Sequence, residues 1–483
     1  MKPSTMICGL GIFALSACSH PQARISNPEE QTIQALSHKR IVMLGDFAHE
    51  YPLSYHTLTS TLSAWLTMLE KGESDQTRVT LFLEEDSQIS GLVREYLKNG
   101  DLDPLLEFLL PSISIERLEF YADLREITAR IDSINRVLPS SKQIVFDIQG
   151  PEAMNVFDPK MVDASERAAR LYYVNQRDSL SAINVTSYLR ARPNQKALMF
   201  FGTGHLIRNT VEKGFAGSLT PEEDTGHFLA YYLKREFGDD SVYCIAQVDR
   251  RHSPLRTDEF DGPDVMFLSH DVPWKSSPSN DESLVPANFD AFIIRNQFHI
   301  PSHPLSHVFS SRIISASIKR SEFLEPHRSG AMGGRFYKEA LSTLAFLSDT
   351  NFSTPAEWKS WYAVHRFEGL DRLRSEGVRN RLKNDCFQAL GTPGFAGYID
   401  DLINLGFDPR VGSPKMTRQE WDKYFADMWP QIVFLNAIGV YWIGDSNEQC
   451  KAKDYLVESS GQDYNNPSLY LKLWRKQFYK VAY

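Results

Sequence analysis

Four apolar stretches of the chain run directly into His or carboxylate residues. Arg40-Ile41-Val42-Met43-Leu44 leads into Gly45-Asp46-Phe47-Ala48-His49, and Val79 to Leu83 leads into Glu84-Glu85-Asp86. Gln143 to Ile148 carries Asp147-Ile148-Gln149, and Lys196 to Phe201 leads into Gly202-Thr203-Gly204-His205. Two His with several carboxylates support two kinds of chemistry. They can hold a divalent metal with a position left open for water. Alternatively one His acts as a general base, carboxylates orient it, and a cation stabilises the developing oxyanion. Both routes lead to activated water, and the residues alone do not choose between them. The chain has no G-x-S-x-G nucleophile elbow, Walker A loop or dinucleotide fingerprint.

For these residues to meet, the apolar stretches must be parallel strands of one sheet. In such sheets ligands gather beyond the carboxyl ends of the strands. The intervening sequence supplies the connecting helices. Tyr55, Leu58, Leu62, Trp65 and Leu69 recur at helical spacing. Ser87–Leu97, Ile115–Val137, Ser165–Arg190 and His227–Phe237 read as further helices, and Ser241–Gln247 and Phe289–Arg295 as further strands. Alternation of this kind predicts an α/β fold with a mainly parallel sheet flanked by helices over residues 31–300. Residues 250–287, rich in Pro, Ser and Asp, read as a loop or lid. Residues 301–483 read as a mostly helical C-terminal domain. Capping boxes at Thr354-Pro355-Ala356-Glu357 and Thr417-Arg418-Gln419-Glu420 open two of its helices. Pro430 is expected to kink or end the second of them.

The 483 residues are 42% hydrophobic and 23% charged, which excludes a disordered or collagen-like chain. Net charge is −9, with no basic run to suit nucleic acid. The first 17 residues read as an export signal, with Lys2 followed by an apolar run from Ile7 to Ala17 that is too short to span a bilayer. Leu15-Ser16-Ala17-Cys18 resembles a bacterial lipobox, which implies cleavage before Cys18, lipidation of that residue and a membrane attachment through the lipid. Ser19 after the cysteine resembles the outer-membrane sorting of enterobacterial lipoproteins. Residues 18–30 read as a polar tether. Cys244 lies in an apolar run and reads as a core thiol. Cys386 and Cys450 could pair in an exported protein.

The motifs also resemble, in order, those of the erythromycin esterase-like family, within a wider group that includes the Tiki/TraB proteases and the ChaN haem-uptake lipoproteins. Gly45 to His49 resembles the family's G-E-x-x-H, and Leu83-Glu84-Glu85-Asp86 its L-E-A-D. Glu95 to Gly100 resembles the Y-V-x-G that follows, Phe146-Asp147-Ile148-Gln149 resembles F-D-x-Q, and Gln176-Arg177-Asp178 resembles an R-E-x-M helix start. Gly202-Thr203-Gly204-His205 resembles both N-A-H and the G-x-x-H of the Tiki group. The resemblance covers about residues 35–300. It implies water-dependent hydrolysis of an ester, amide or peptide bond in a small-molecule or peptide substrate. His49 would be the essential base or ligand, with Asp46 and Glu84 as its acidic partners, Arg177 facing the site and His205 opposite. Asp147, Gln149 and Glu85 would contact substrate. If a metal (zinc, manganese or cobalt) takes part, His49, Glu84 and His205 would hold it. Two departures stand out. Asp46 is one methylene shorter than the family's Glu. The span from Gln149 to Arg177 is too short for the helical insert of macrolide esterases, so a macrolide substrate is not expected.

Other readings stay open beside this one. Tyr51, Tyr55, Tyr172 and Tyr173 lie near the strand ends, so haem binding without turnover, as in the ChaN branch, is an alternative. So is a scaffold that has lost catalysis through the shortened Asp46, with the helical half as its working surface. His299, His303 and His307 have four-residue spacing, but Pro301 and Pro304 interrupt any helix that would align them for a metal. His56 reads as a core-edge or surface residue.

Overall fold

The computed structural model describes residues 27–46, 52–110, 113–153, 163–208, 211–212, 225–249, 265–268, 286–295, 305, 308–348, 350–389 and 417–478. Cys18, His49, Tyr51, His299, His303 and His307 lie outside the described residues, as does most of the 250–287 stretch.

A seven-stranded sheet forms the centre of the first half. Its strands are β1 (Ile41–Asp46), β2 (Arg78–Leu83), β3 (Val145–Gln149), β4 (Lys196–Gly202), β7 (Val242–Asp249), β8 (Val265–Leu268) and β9 (Ala291–Arg295). The spatial order is β3-β2-β4-β1-β7-β9-β8. Every neighbouring pair is parallel except β8 with β9. Two-residue strands β5 (Val211–Glu212) and β6 (Thr225–Gly226) pair separately. β8 falls inside the stretch read from sequence as a loop. A four-residue antiparallel edge strand among Pro, Ser and Asp residues carries no periodic signal long enough to read.

β1 is buried along its whole length, as the inner strand of a covered parallel sheet must be. Alternate residues feed opposite faces. Val42, Leu44, Leu198 and Phe200 join the core formed with α2 (Pro52–Lys71) and α5 (Ile115–Asn135). Ile41, Met43, Met199 and Phe201 join the opposite core, with α7 (Asp178–Arg190) and α8 (Leu229–Phe237). The chain leaves β1 over the first face and leaves β4 over the second. The adjacent strands β1 and β4 therefore flank the point where the winding direction reverses, which is where open α/β sheets hold ligands. The first helices, α1 (Pro28–His38), α3 (Ile89–Asn99) and α4 (Asp103–Leu109), pack around this core. α1 begins inside the stretch read as a tether. Asn27 caps it and Pro28 opens it, and it buries Ile33 and Leu36.

The second half is helical, as expected, and begins at α9 (Ser311–Leu324). α10 (Ala331–Leu347), α11 (Pro355–His365), α12 (Gly369–Leu373), α13 (Glu376–Ala389), α14 (Arg418–Ile443), α15 (Ser446–Ser460) and α16 (Pro467–Phe478) follow. Both capping boxes form, at Thr354 with Glu357 and at Thr417 with Glu420. Pro430 does not end α14, which runs through it for 26 residues. The burial of Met428, Trp429, Ile432, Val433 and Leu435 on either side supplies the packing that offsets one lost backbone hydrogen bond. Among the described residues no helix is long and apolar enough to cross a membrane.

The two halves share one apolar core. Ile115, Val308, Phe309, Ile438 and Val440 belong to the same cluster as the β1 and β2 residues. Gly439 of α14 sits against Val308 and Ile115, so close that a Cβ there would lie 2.6 Å from a Val308 methyl. Asn436 accepts the Phe309 N–H at 2.9 Å, and Glu448 accepts the Ser311 N–H at 2.9 Å. Arg312 grips Asp103 of α4 with both nitrogens, at 2.7 and 2.8 Å. Cys244 is a buried free thiol. Cys450 is a free, exposed thiol, and the side chain of Cys386 lies outside the described residues.

Candidate active site

The strand-end residues meet around one guanidinium. Arg177 Nη2 donates to Glu84 Oε1 at 2.7 Å, and its Nε donates to Glu152 Oε1 at 2.8 Å. Arg177 Nη1 lies 3.3 Å from Nε2 of His205. The other ring nitrogen, Nδ1, lies 2.5 Å from Asp178 Oδ1, while Nε2 is also 3.1 Å from Glu84 Oε1. Glu84 in turn accepts the Gly202 N–H through Oε2 at 2.6 Å. Three carboxylates and two cations thus interlock beyond the ends of β2, β3 and β4.

Local backbone features put them there. α6 (Glu166–Tyr172) passes into a π-helical turn, Tyr173–Arg177, before α7 begins at Asp178. Neighbouring residues of an α-helix point about 100° apart, and a π turn re-aims them. Here Arg177 and Asp178, adjacent in sequence, both reach His205. Tyr173, on the same turn, lies beneath the Arg177 guanidinium, 5.5 Å from ring centroid to Cζ. β4 ends at Gly202 and a short 3-10 turn, Thr203–Leu206, carries His205 back over the sheet. Thr203 Oγ1 donates to the Asp46 carbonyl at 2.9 Å, tying the ends of β4 and β1 together at the reversal point. This contact requires glycine at 45, because a Cβ there would lie 2.8 Å from Thr203 Oγ1 and 3.3 Å from the Ile245 carbonyl.

Burial and charge set the protonation states. Burial alone would discharge the His205 imidazole. Asp178 and Glu84 outweigh it and push the ring up to about 10. Burial likewise opposes the Arg177 charge, and Glu84 and Glu152 more than restore it. Burial pushes the Glu152 carboxyl above its usual range; Arg177 pulls against that shift and Glu84 adds to it. Asp178 at Nδ1 and Glu84 at Nε2 thus both favour the protonated ring.

Of the residues nominated from sequence, Glu84, Arg177 and His205 are brought together, with Asp46 buried at the adjacent strand end. Asp147 and Gln149 are not part of the cluster. Asp147 is in register with Thr80, four residues before Glu84, or about 13 Å down the strand. It accepts from Tyr188 at 2.6 Å and from Gln149 at 2.7 Å, so the pair is occupied in tying β3 to α7. Glu85 turns away to an ion pair with Arg117 of α5. Glu152 was missed. It lies three residues past β3, outside any motif, and its position is set by a backbone bridge to Asp86. Its signal was a carboxylate in a Gly-Pro-Glu turn following a strand.

The donor set does not suit a metal at Glu84 and His205. A ligating imidazole must be neutral and a ligating carboxylate needs a free lone pair facing the ion. Here both ring nitrogens of His205 face carboxylates, Nδ1 to Asp178 and Nε2 to Glu84, and Arg177 and Gly202 occupy the two Glu84 oxygens. Among the described residues no group of three or more His, Cys, Asp or Glu is arranged to hold a metal ion. Of the tyrosines near the strand ends, Tyr172 and Tyr173 pack edge-on against each other and Tyr55 packs on Phe120 and Phe200.

No family model matches the chain, and no curated protein matches it. Two solved structures resemble it. One is a mutant of the erythromycin esterase EreC in its open conformation, at 13% identity over 57% of this chain and 95% of that one, with a TM-score of 0.33. The other is a protein from Bacillus cereus, at 11% identity over 54% of this chain and 89% of that one, with a TM-score of 0.32. The likeness is one of distant fold.

Proposed function

We propose that the protein is a hydrolase of an ester, amide or peptide bond that works without a metal at Glu84 and His205. The observation that carries this reading is the pair of cationic side chains, part-buried Arg177 and buried His205, 3.3 Å apart beyond the strand ends. Two fixed donors in a site of low dielectric are the arrangement that stabilises an oxyanion, because they need no reorganisation as charge develops. The carbonyl oxygen of the substrate faces Arg177 Nη1 and shares the His205 Nε2–H with Glu84 Oε1, which lies 3.1 Å from it. His49, on the segment that leaves β1 at Asp46, is the base that takes a proton from water. Glu152, whose carboxyl burial raises, gives its own proton to the leaving group and is reprotonated from solvent, while His49 releases the proton it took from water to solvent as the products leave. Asp178 and Glu84 keep His205 in its donor form throughout. Lipid attachment at Cys18 would hold this activity at the cell envelope, outer membrane favoured.

The test is a panel of aryl and alkyl esters, anilides and peptides, assayed with the purified protein and with His49→Asn, Arg177→Lys and Glu152→Gln. The reading predicts hydrolysis of at least one member, lowered about 10²–10³-fold by Arg177→Lys and at least as far by His49→Asn. Turnover indifferent to both substitutions, or none across the panel, overturns it.

A further inference from the structure

Side chains hold the end of β1 where the backbone ladder runs out. β1 pairs with β4 as far as Asp46 opposite Gly202. Its ladder with β7 stops earlier, at Leu44 opposite Ile245. β7 itself continues, pairing with β9 through Asp249 opposite Arg295. The sheet therefore parts between β1 and β7 beyond Leu44, beside the point where the winding reverses. Gly45 and Asp46 are buried at that parting, and buried carbonyls need donors.

Two side chains supply them. Gln247 Nε2 donates to the Gly45 carbonyl at 3.0 Å, and Thr203 Oγ1 donates to the Asp46 carbonyl at 2.9 Å. One donor comes from β7 and the other from the turn after β4, the two neighbours of β1, so consecutive carbonyls are gripped from opposite sides. Gln247 is 1% exposed, among the buried apolar residues Ile245, Ala246 and Val248. An amide in such surroundings is destabilising unless it is hydrogen-bonded. What it adds over an apolar residue of similar size is a donor that crosses the parting to Gly45. Three residues past Asp46 stands His49. Three residues of chain reach at most about 11 Å, so the direction of the backbone at Asp46 limits where that imidazole arrives.

Resting on the hydrolytic reading, we propose that Gln247 and Thr203 are positioning residues, which fix the direction in which the chain leaves β1 and so place His49 relative to Arg177 and His205. They act through the carbonyls of Gly45 and Asp46 and not on the substrate. A misplaced base slows the chemical step and leaves ground-state binding intact, so kcat falls while KM holds. Thr203 shares its turn with His205; Gln247, on another strand, does not, and separates the two influences.

The test is steady-state kinetics of the purified full chain on an ester, anilide or peptide that it hydrolyses. The variants are Gln247→Met, Thr203→Val and Thr203→Ser, alone and combined with His49→Asn. Gln247→Met and Thr203→Val keep the size of the side chain and remove the donor. Each is expected to lower kcat about 10–100-fold with KM held within about twofold. Thr203→Ser, which keeps the hydroxyl, should retain kcat. In the His49→Asn background neither donor-deleting substitution should lower the residual rate further, because both act through a base already removed. Where that residual rate is too low to read, the kcat–KM split and the Thr203→Ser rescue decide. Equal losses in both backgrounds, kcat indifferent to both substitutions, or a loss confined to KM overturns the proposal and leaves the hydrolytic reading standing. Hydrolysis of no substrate overturns that reading and the proposal with it. Thr203→Val removes one hydroxyl from a turn, so it serves even if Gln247→Met perturbs folding.

Discussion

Arg177 and Asp178 are consecutive residues that grip the same imidazole from its two ends. Arg177 Nη1 is 3.3 Å from His205 Nε2, and Asp178 Oδ1 is 2.5 Å from Nδ1. The π turn that ends at Arg177 makes this possible. It also orders the roles, because a histidine pinned between a carboxylate and a guanidinium-bound glutamate serves as a donor.

The arginine cannot be replaced by a simple positive charge. Lysine at 177 keeps the charge and loses the fork that reaches Glu84, Glu152 and His205 together. Arg177→Lys should retain the fold by circular dichroism while hydrolysis falls about 10²–10³-fold. Unchanged turnover would mean the guanidinium only braces the strand ends.

The His205 pair should appear in the pH dependence of stability. The ring is raised from 6.5 to about 10 in the folded chain, so its stabilising contribution is full below about pH 6.5 and is lost as pH rises toward 10. Urea unfolding at several pH values should show stability falling through that window. Asp178→Ala should cost about 3–5 kcal/mol at neutral pH, the range for breaking a buried ion pair, and should flatten the alkaline slope. An unaltered slope would place the titration elsewhere.

Asp123 predicts the opposite sign for a carboxylate. Burial, then Glu119, raises it from 3.8 to about 7, against the pull of Lys472; Glu126 adds to the rise and Arg475 opposes it. His56 of α2 lines the same cavity as Asp123. The ionised carboxylate is therefore a burden that is absent below about pH 4, grows as pH rises to 7 and persists above. Asp123→Asn should raise the melting temperature more at pH 8 than at pH 4.5, by thermal melts at both. An equal effect at the two pH values would remove the titration from the account.

Gly439 tests the shared core. A methyl there would press on Val308 and Ile115, and overpacking of this kind costs about 1–3 kcal/mol. Gly439→Ala should lower a single unfolding midpoint reported alike by both halves, read by hydrogen exchange in β1 and in α14. Destabilisation confined to the helical half would show that the halves unfold separately.

The sequence by itself determined six of the seven strands of the sheet and three of their ends. Buried parallel strands need continuous apolar runs, and polar residues at or just after the ends of such runs have to emerge at the carboxyl edge, as Asp46, Glu84 and, past Gly202, His205 do. The same logic located the capping boxes at Thr354 and Thr417, which depend on contacts three residues apart. Tertiary structure decided the rest, because it depends on which distant groups arrive first. Asp147 shares a strand with the expected site residues, yet Tyr188 claims it. Glu85 follows Glu84 and turns to Arg117. Glu152, in no motif, enters the cluster because β3 lies beside β2. Pro430 stays inside a helix because large side chains on both sides are buried against neighbours that lie far away in sequence. Local spacing specifies where a side chain can point; only packing specifies what it meets there.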